Sequence, residues 1–274
     1  MNYYEILGLQ KEPFSMAPDP EFFYHSQSHG ECLNRLEISL RLNRGLNVVI
    51  GGVGIGKTTL SRLLLGRFVE FGRDYKFFLI LDPTWKNTQE FLIYLQKLFG
   101  IKGAETYQAE MMDRIEHFLI DNSLNSKRQI VLVIDEGQKM GSPQIEIIRT
   151  LLNFETNDQK LIQVIIFAQP EFQDLLDKHE NFKDRIAFGY YIRPMEKEDT
   201  IQFINHRLAV AGDKDGSLFT AEAKEIIHEQ TLGFPRKVVV LCHTLIIDMM
   251  VQDKKCVDAN LAFERFKAAD LKND

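Results

Sequence analysis

A chain of 274 residues has room for one large domain or two unequal ones, and 45% hydrophobic with 26% charged content is ordinary for a water-soluble globular protein. Its formal net charge of −6 provides no overall basic field toward nucleic acid or an anionic membrane, which weakens DNA binding but leaves room for a local patch. Cys32, Cys242 and Cys256 are odd in number and far apart, so they read as reduced thiols and exclude a disulfide frame or a C-x-x-C zinc site.

The opening "MNYYEILGLQKEPF" has neither a basic n-region nor an apolar core, so it does not read as a secretory leader. "KEPFSMAPDPEFFYH" is rich in aromatic residues and proline. His25 and His29 come next at i, i+4 spacing, but without the glutamate of a metalloprotease helix, and no metal site is expected there. Glu31 to Leu42 places Leu33, Leu36, Leu40 and Leu42 near helical spacing. Val48–Ile50 then forms an uncharged β-branched run, as in a strand covered on both faces.

The loop after that strand carries chemistry. Gly51, Gly52, Gly54 and Gly56 supply backbone without Cβ atoms, so that successive N–H groups can converge on one anion. Lys57-Thr58-Thr59 opens a helix, whose unpaired N–H groups and macrodipole favour phosphate. The stretch Gly51-Gly52-Val53-Gly54-Ile55-Gly56-Lys57-Thr58 meets the full Walker A spacing, with Lys57 for the β/γ-phosphates and the Thr58 hydroxyl for Mg²⁺. A strand at Phe77–Leu81 and helices in Gln89–Phe99 and Tyr107–Leu124 come next. "IVLVIDEGQ", from Ile130 to Gln138, is a second buried strand that delivers two carboxylates at its C-terminal end, where open α/β sheets bind ligands. Asp135 is placed to hold Mg²⁺ and Glu136 to orient and deprotonate an attacking water, which a protein that only bound nucleotide would not need.

A helix in Pro143–Phe154, a strand at Leu161–Phe167 and another near Tyr190–Ile192 complete five strands alternating with helices, the pattern of a three-layer α/β fold with a parallel sheet. From Glu196 the pattern is wholly helical, over "EKEDTIQFINHRLAVAG", "TAEAKEIIHEQT", "PRKVVVLCHTLIIDMMV" and Ala259–Ala268. The expected division is an α/β nucleotide-binding domain over 1–194 and a small helical domain over 195–274. The longest apolar segment, from Val238, is interrupted by His243 and Asp248 and is too short to span a bilayer.

A Walker A loop, an Asp-Glu strand end and a C-terminal helical lid together resemble an AAA+ ATPase. The match narrows with "GLQKEPFSMAPDPEFFYHSQSH", "RTLLNFETNDQKLIQVIIFAQPEF", "FKDRIAFGYYIRPMEKEDTIQFINHRLAVAG" and "LFTAEAKEIIHEQTLGFPRKVVVLC", which are similar in order and spacing to the ExeA/GspA-type ATPases of general (type II) secretion. The resemblance implies that Gln169 stands at the sensor 1 position and Arg236, in "GFPRKV", at sensor 2. It implies an arginine finger acting on a neighbouring subunit's ATP, with Arg185 first and Arg149 second; a plain surface ion pair of Arg185 with Asp184 or Glu180 is the other reading. In related ATPases the N-terminal segment borders the adenine, so Phe14 and Tyr24 either pack there or are simple core.

As function, the resemblance implies Mg²⁺-dependent ATP hydrolysis in the cytoplasm, by an ATP-dependent homo-oligomer that works on envelope proteins of a secretion apparatus. The chain is then either stand-alone or the cytosolic part of an inner-membrane protein, because members of this family continue into a membrane helix and a periplasmic domain. The alternative is a relative of the transposition-regulator ATPases, which assemble on DNA; the acidic composition argues against it, since such binding needs clustered Lys and Arg.

Overall fold

The computed structural model describes residues 2–16, 19–69, 74–103, 107–156 and 159–270. In chain order the elements are α1 (Tyr3–Ile6), α2 (Gln27–Arg41), β1 (Leu46–Ile50), α3 (Lys57–Val69), β2 (Tyr75–Ile80), α4 (Thr88–Phe99), α5 (Gln108–Leu124), β3 (Gln129–Ile134), α6 (Ser142–Leu151) and β4 (Ile162–Ala168). The remainder are α7 (Phe172–Lys178), α8 (Glu180–Lys183), β5 (Ile186–Tyr191), α9 (Lys197–Ala211), α10 (Ala221–Thr231), α11 (Pro235–Val251) and α12 (Ala259–Asp270). The chain divides into two compact units: Glu31–Val53 with Leu60–Ile192, and Met1–Gly30 with Gly54–Thr59 and Arg193–Asp274.

The first unit is built on a five-stranded sheet in the order β2-β3-β4-β1-β5, with every pairing parallel. β1 and β4 are buried at every position and are apolar but for one buried amide each, Asn47 and Gln163; covering a strand on both faces removes the alternation of a half-exposed one. β5 alternates between partly buried and exposed residues, as an edge strand does. Leu132, Ile134, Val164 and Ile166 share one core with Phe91, Leu95 and Phe99 of α4 and Ile145 and Ile148 of α6. Asn87 caps α4 by accepting from the Glu90 N–H at 2.9 Å, and Gly100 ends it with φ 78°, a left-handed turn that glycine takes without Cβ strain.

The second unit is helical and has its own core, made by Phe203, Ile204 and Leu208 of α9, Ile227 of α10, Val238, Cys242, Leu245 and Ile246 of α11, and Leu261 of α12. Leu9, Phe14 and Phe22 from the N-terminal segment belong to that same core. The grouping differs from the expected division in the N-terminal segment and part of the glycine loop, not at the break near 193. A division at 194 assigns the N-terminal segment to the α/β domain, whereas residues 1–30 and 54–59 group with the C-terminal helices. Arg207, 8% exposed, supplies one reason: its guanidinium donates to the carbonyls of Pro13 (2.7 Å) and Ser15 (3.0 Å) and lies over the rings of Phe14, Phe22 and Phe203. Burial pushes its pKa down to about 10.

Candidate nucleotide site

In the sheet unit β4 lies between β1 and β3: Ile50 pairs with Ala168 where β1 and β4 end, and β3 ends two residues short of them, Ile134 pairing with Ile166. Their C-terminal ends therefore bring Gly51, Gln169 and the Asp135-Glu136 pair to one edge of the sheet. The Gly51 N–H donates to Ala168 O at 3.0 Å, carrying the β1 pairing one residue into the glycine loop; Gly52 and the exposed Val53 come after it. Asp135 is 3% exposed, with its N–H held by Ile80 O at 2.8 Å. Its Oδ1 accepts the Glu136 N–H at 2.9 Å.

Glu136 takes φ 55° and ψ 37°, left-handed backbone that costs a non-glycine residue energy and that clusters at functional positions. Its Oε2 accepts from Gln138 Nε2 at 2.7 Å and, more distantly, from Gln169 Nε2 at 3.4 Å. The Gln169 N–H in turn donates to Gln138 Oε1 at 3.0 Å. The Glu136 carboxylate and Gln169 thus meet, joined by Gln138, to which the sequence pattern assigns no role.

In the helical unit, Gly54 and Gly56 take φ 72° and 103°, positive values that explain why the loop needs glycine at both positions. The Arg236 N–H, in the first turn of α11, donates to Gly54 O at 3.1 Å, and a Cβ at Gly54 would come 2.7 Å from Arg236 Cβ. His29 is 3% exposed and braces the same loop: its Nε2–H donates to Ile55 O at 2.7 Å while the Ser26 hydroxyl donates to Nδ1 at 2.6 Å. Burial lowers its pKa below the ordinary 6.5, so the ring is neutral at pH 7. Lys57, which opens α3, is 6% exposed; Thr58 is exposed and Thr59 partly buried.

Arg185 lies in the turn between α8 and β5, partly buried, and no described residue forms an ion pair with it within 4.0 Å, Asp184 and Glu180 included. Its charge adds to the larger effect of the Lys160 hydrogen bond in lowering the Glu155 carboxyl. Arg149 is instead paired with Glu146 at 2.7 Å. Phe14 is 1% exposed and meets Phe219 edge to face at 5.7 Å, a core residue of the helical unit. The Tyr24 hydroxyl donates to Asp199 at 3.0 Å; burial and that carboxylate push its pKa up to about 12.

A five-stranded parallel sheet with a Lys-Thr glycine loop after β1 and a carboxylate pair after β3 defines a P-loop nucleoside triphosphatase. Residues 40–176 match the family model described as AAA domain, so the chain belongs to the AAA family, and it is an ATPase. Over nearly its whole length it is similar to general secretion pathway protein A. The Aeromonas hydrophila protein of that name is 30% identical over 282 residues, covering 99% of this chain and 49% of that protein. The chain thus spans about half the length of that curated relative. Among solved structures, the Aeropyrum pernix ORC2 protein superimposes with a TM-score of 0.66 at 16% identity, over 93% of this chain and 70% of the other. The Thermotoga maritima RuvB Holliday junction branch migration motor gives 0.57 at 13% identity, over 87% and 68%. Both are likenesses of fold. Among the described residues, no helix is long and apolar enough to cross a membrane.

Proposed function

We propose that this chain hydrolyses ATP with Mg²⁺ as a self-assembling ATPase that drives or gates assembly of a type II secretion apparatus in the envelope. The observation that carries hydrolysis is the tethered Glu136 carboxylate at the end of β3, in hydrogen-bond reach of Gln169. In this reading the loop from Gly51 to Thr59 cradles the phosphates, Lys57 neutralises the β/γ oxygens and Glu136 takes the proton of the attacking water. Gln169 and Arg236 report the γ-phosphate, and Arg185 is the finger offered to a neighbouring subunit, with Arg149, already paired, the weaker candidate. The buried Asp135 carboxylate and the Thr58 hydroxyl are hard oxygen donors of the kind Mg²⁺ takes, and they are the residues that would hold it. The bound ion supplies charge neutralisation at the phosphates. The helical region from 195 serves as the lid, and the working place is the cytoplasm, beside or attached to the inner membrane.

Similarity to general secretion pathway protein A over nearly the whole chain supports the secretion role. A DNA-assembled ATPase is the second reading, favoured only by a fold shared with ORC and RuvB proteins. Measuring ATPase rate against protein concentration, with and without double-stranded DNA, separates the two. A rate that rises with concentration and ignores DNA supports the secretion ATPase. Strong DNA stimulation abolished by salt overturns it, and unchanged turnover in Lys57→Ala overturns the site itself.

A further inference from the structure

We propose that Gln138 is the positioning residue of the hydrolytic base, fixing one oxygen of Glu136 so that the other faces the attacking water. This rests on Glu136 being the base of an ATPase. A glutamate side chain has three rotatable bonds, and its rotamer freedom must be removed before the carboxylate can meet a water in attacking geometry. At Glu136 the fixing is done at one oxygen. Oε2 accepts from Gln138 at 2.7 Å, whereas Oε1 accepts no hydrogen bond from any described residue.

The orientation of the Gln138 amide is itself settled, because its Oε1 accepts the Gln169 N–H at 3.0 Å and its NH₂ is thereby turned toward Glu136. Gln138 sits in the 3₁₀ turn Gly137–Lys139, with Gly137 buried beneath it, so the clamp stands on short, packed backbone. The two amides on Oε2 differ in kind. Gln169 reaches it at 3.4 Å, a contact weak enough to give up when that side chain turns to a phosphate. Gln138 holds at 2.7 Å and also grips the Gln169 backbone, so the base stays in register while the sensor side chain moves.

Two substitutions at this one position test the assignment. Gln138→Met keeps the volume and loses both hydrogen bonds; Gln138→Glu keeps an acceptor for the Gln169 N–H but sets a like charge against Glu136. Both are expected to lower kcat by about 100-fold, the cost of a misplaced reacting group, with KM and nucleotide affinity within about twofold and the thermal midpoint unchanged. In a Glu136→Gln background, where no base remains to be positioned, Gln138→Met is expected to leave the residual single-turnover rate where it was. Wild-type kcat in both single variants, or a further loss in the Glu136→Gln background, overturns the proposal. Should Glu136→Gln itself hydrolyse at the wild-type rate, the base reading fails instead, and the two failures are told apart by that control.

Discussion

Gly137→Ala adds a single methyl group beside Glu136, and its effect can be worked out from the packing. Gly137 does not lie in the left-handed region, so alanine brings no backbone strain of its own. The difficulty is space. An added Cβ would lie 2.4 Å from Ile166 Cγ2, a full ångström inside the 3.4 Å at which ordinary contact begins, with Ala168 Cβ at 3.2 Å and Phe167 O at 3.3 Å closing the other sides. Ile166 is wholly buried and paired to both Val48 and Ile134 in the middle of the sheet, so the strand cannot give way. The turn from Glu136 to Lys139 must therefore rise by about 1 Å, a displacement that costs about 100-fold in rate when it falls on a reacting group. Overpacking costs a further 1–3 kcal/mol or so in stability, and each kcal/mol lowers the melting temperature by about 2–4 °C in a chain of this size. Steady-state hydrolysis, fluorescent-nucleotide titration and a melting curve on one preparation are the assay: kcat falls, affinity holds, and the melt shifts by several degrees. A variant with wild-type kcat and melting temperature would refute the argument that Gly137 is kept small by Ile166.

Three further predictions concern other parts of the molecule. Mixing Arg185→Ala with Lys57→Ala, each inactive alone, should recover partial turnover if Arg185 completes a neighbour's site, since a finger supplied in trans contributes about 10³–10⁵ in rate; a mixture no better than its components would remove that role. Burial holds His29 below its ordinary pKa of 6.5, so the unfolded chain takes up the proton first as pH falls. Its contribution to stability is therefore complete above pH 6.5 and is lost as pH drops from there toward the lower folded value; the pH slope of the melting temperature in that window should flatten in His29→Asn. Arg207→Met leaves the Pro13 and Ser15 carbonyls without their donor, and urea unfolding should show a loss of about 2–4 kcal/mol, with the segment before α2 the first to become open to protease. Unchanged stability would make the clasp incidental.

How much of the molecule is legible in the sequence depends on which forces are local. The glycine loop, the apolar runs of β1 and β3 and the Pro235 start of α11 are set by neighbours a few residues away, and these stand where the pattern puts them. Most strand ends move by one or two residues where pairing runs past the apolar core, as at Tyr75 and Gln129, but β5 begins four residues before its expected place, at Ile186. The short α7 and α8 have too few turns to show a period, so the pattern gives no sign of them. The N-terminal segment goes to the wrong partner for another reason: Arg207 holds carbonyls 194 and 192 residues away, a link with no periodic trace. His29 shows in the sequence only as a metal-ligand spacing, because its contact is to a backbone oxygen that no side-chain pattern records. Gln138 lies in plain view within "IDEGQ". Its role depends on the left-handed turn at Glu136, which brings a residue two positions on back against the carboxylate.

A core assembled from both ends of the sequence has to wait for its second half. Leu9, Phe14 and Phe22 leave the ribosome well before the helices that cover them, which begin at Lys197. At about 5–20 residues per second, synthesis of the intervening stretch of about 170 residues leaves those side chains without their partners for roughly 9–35 s. Closing so long a loop is slow as well as late, because chain entropy must be given up before any contact rewards it. During that interval the aromatic N-terminal segment is a natural client for a chaperone that binds extended apolar peptide.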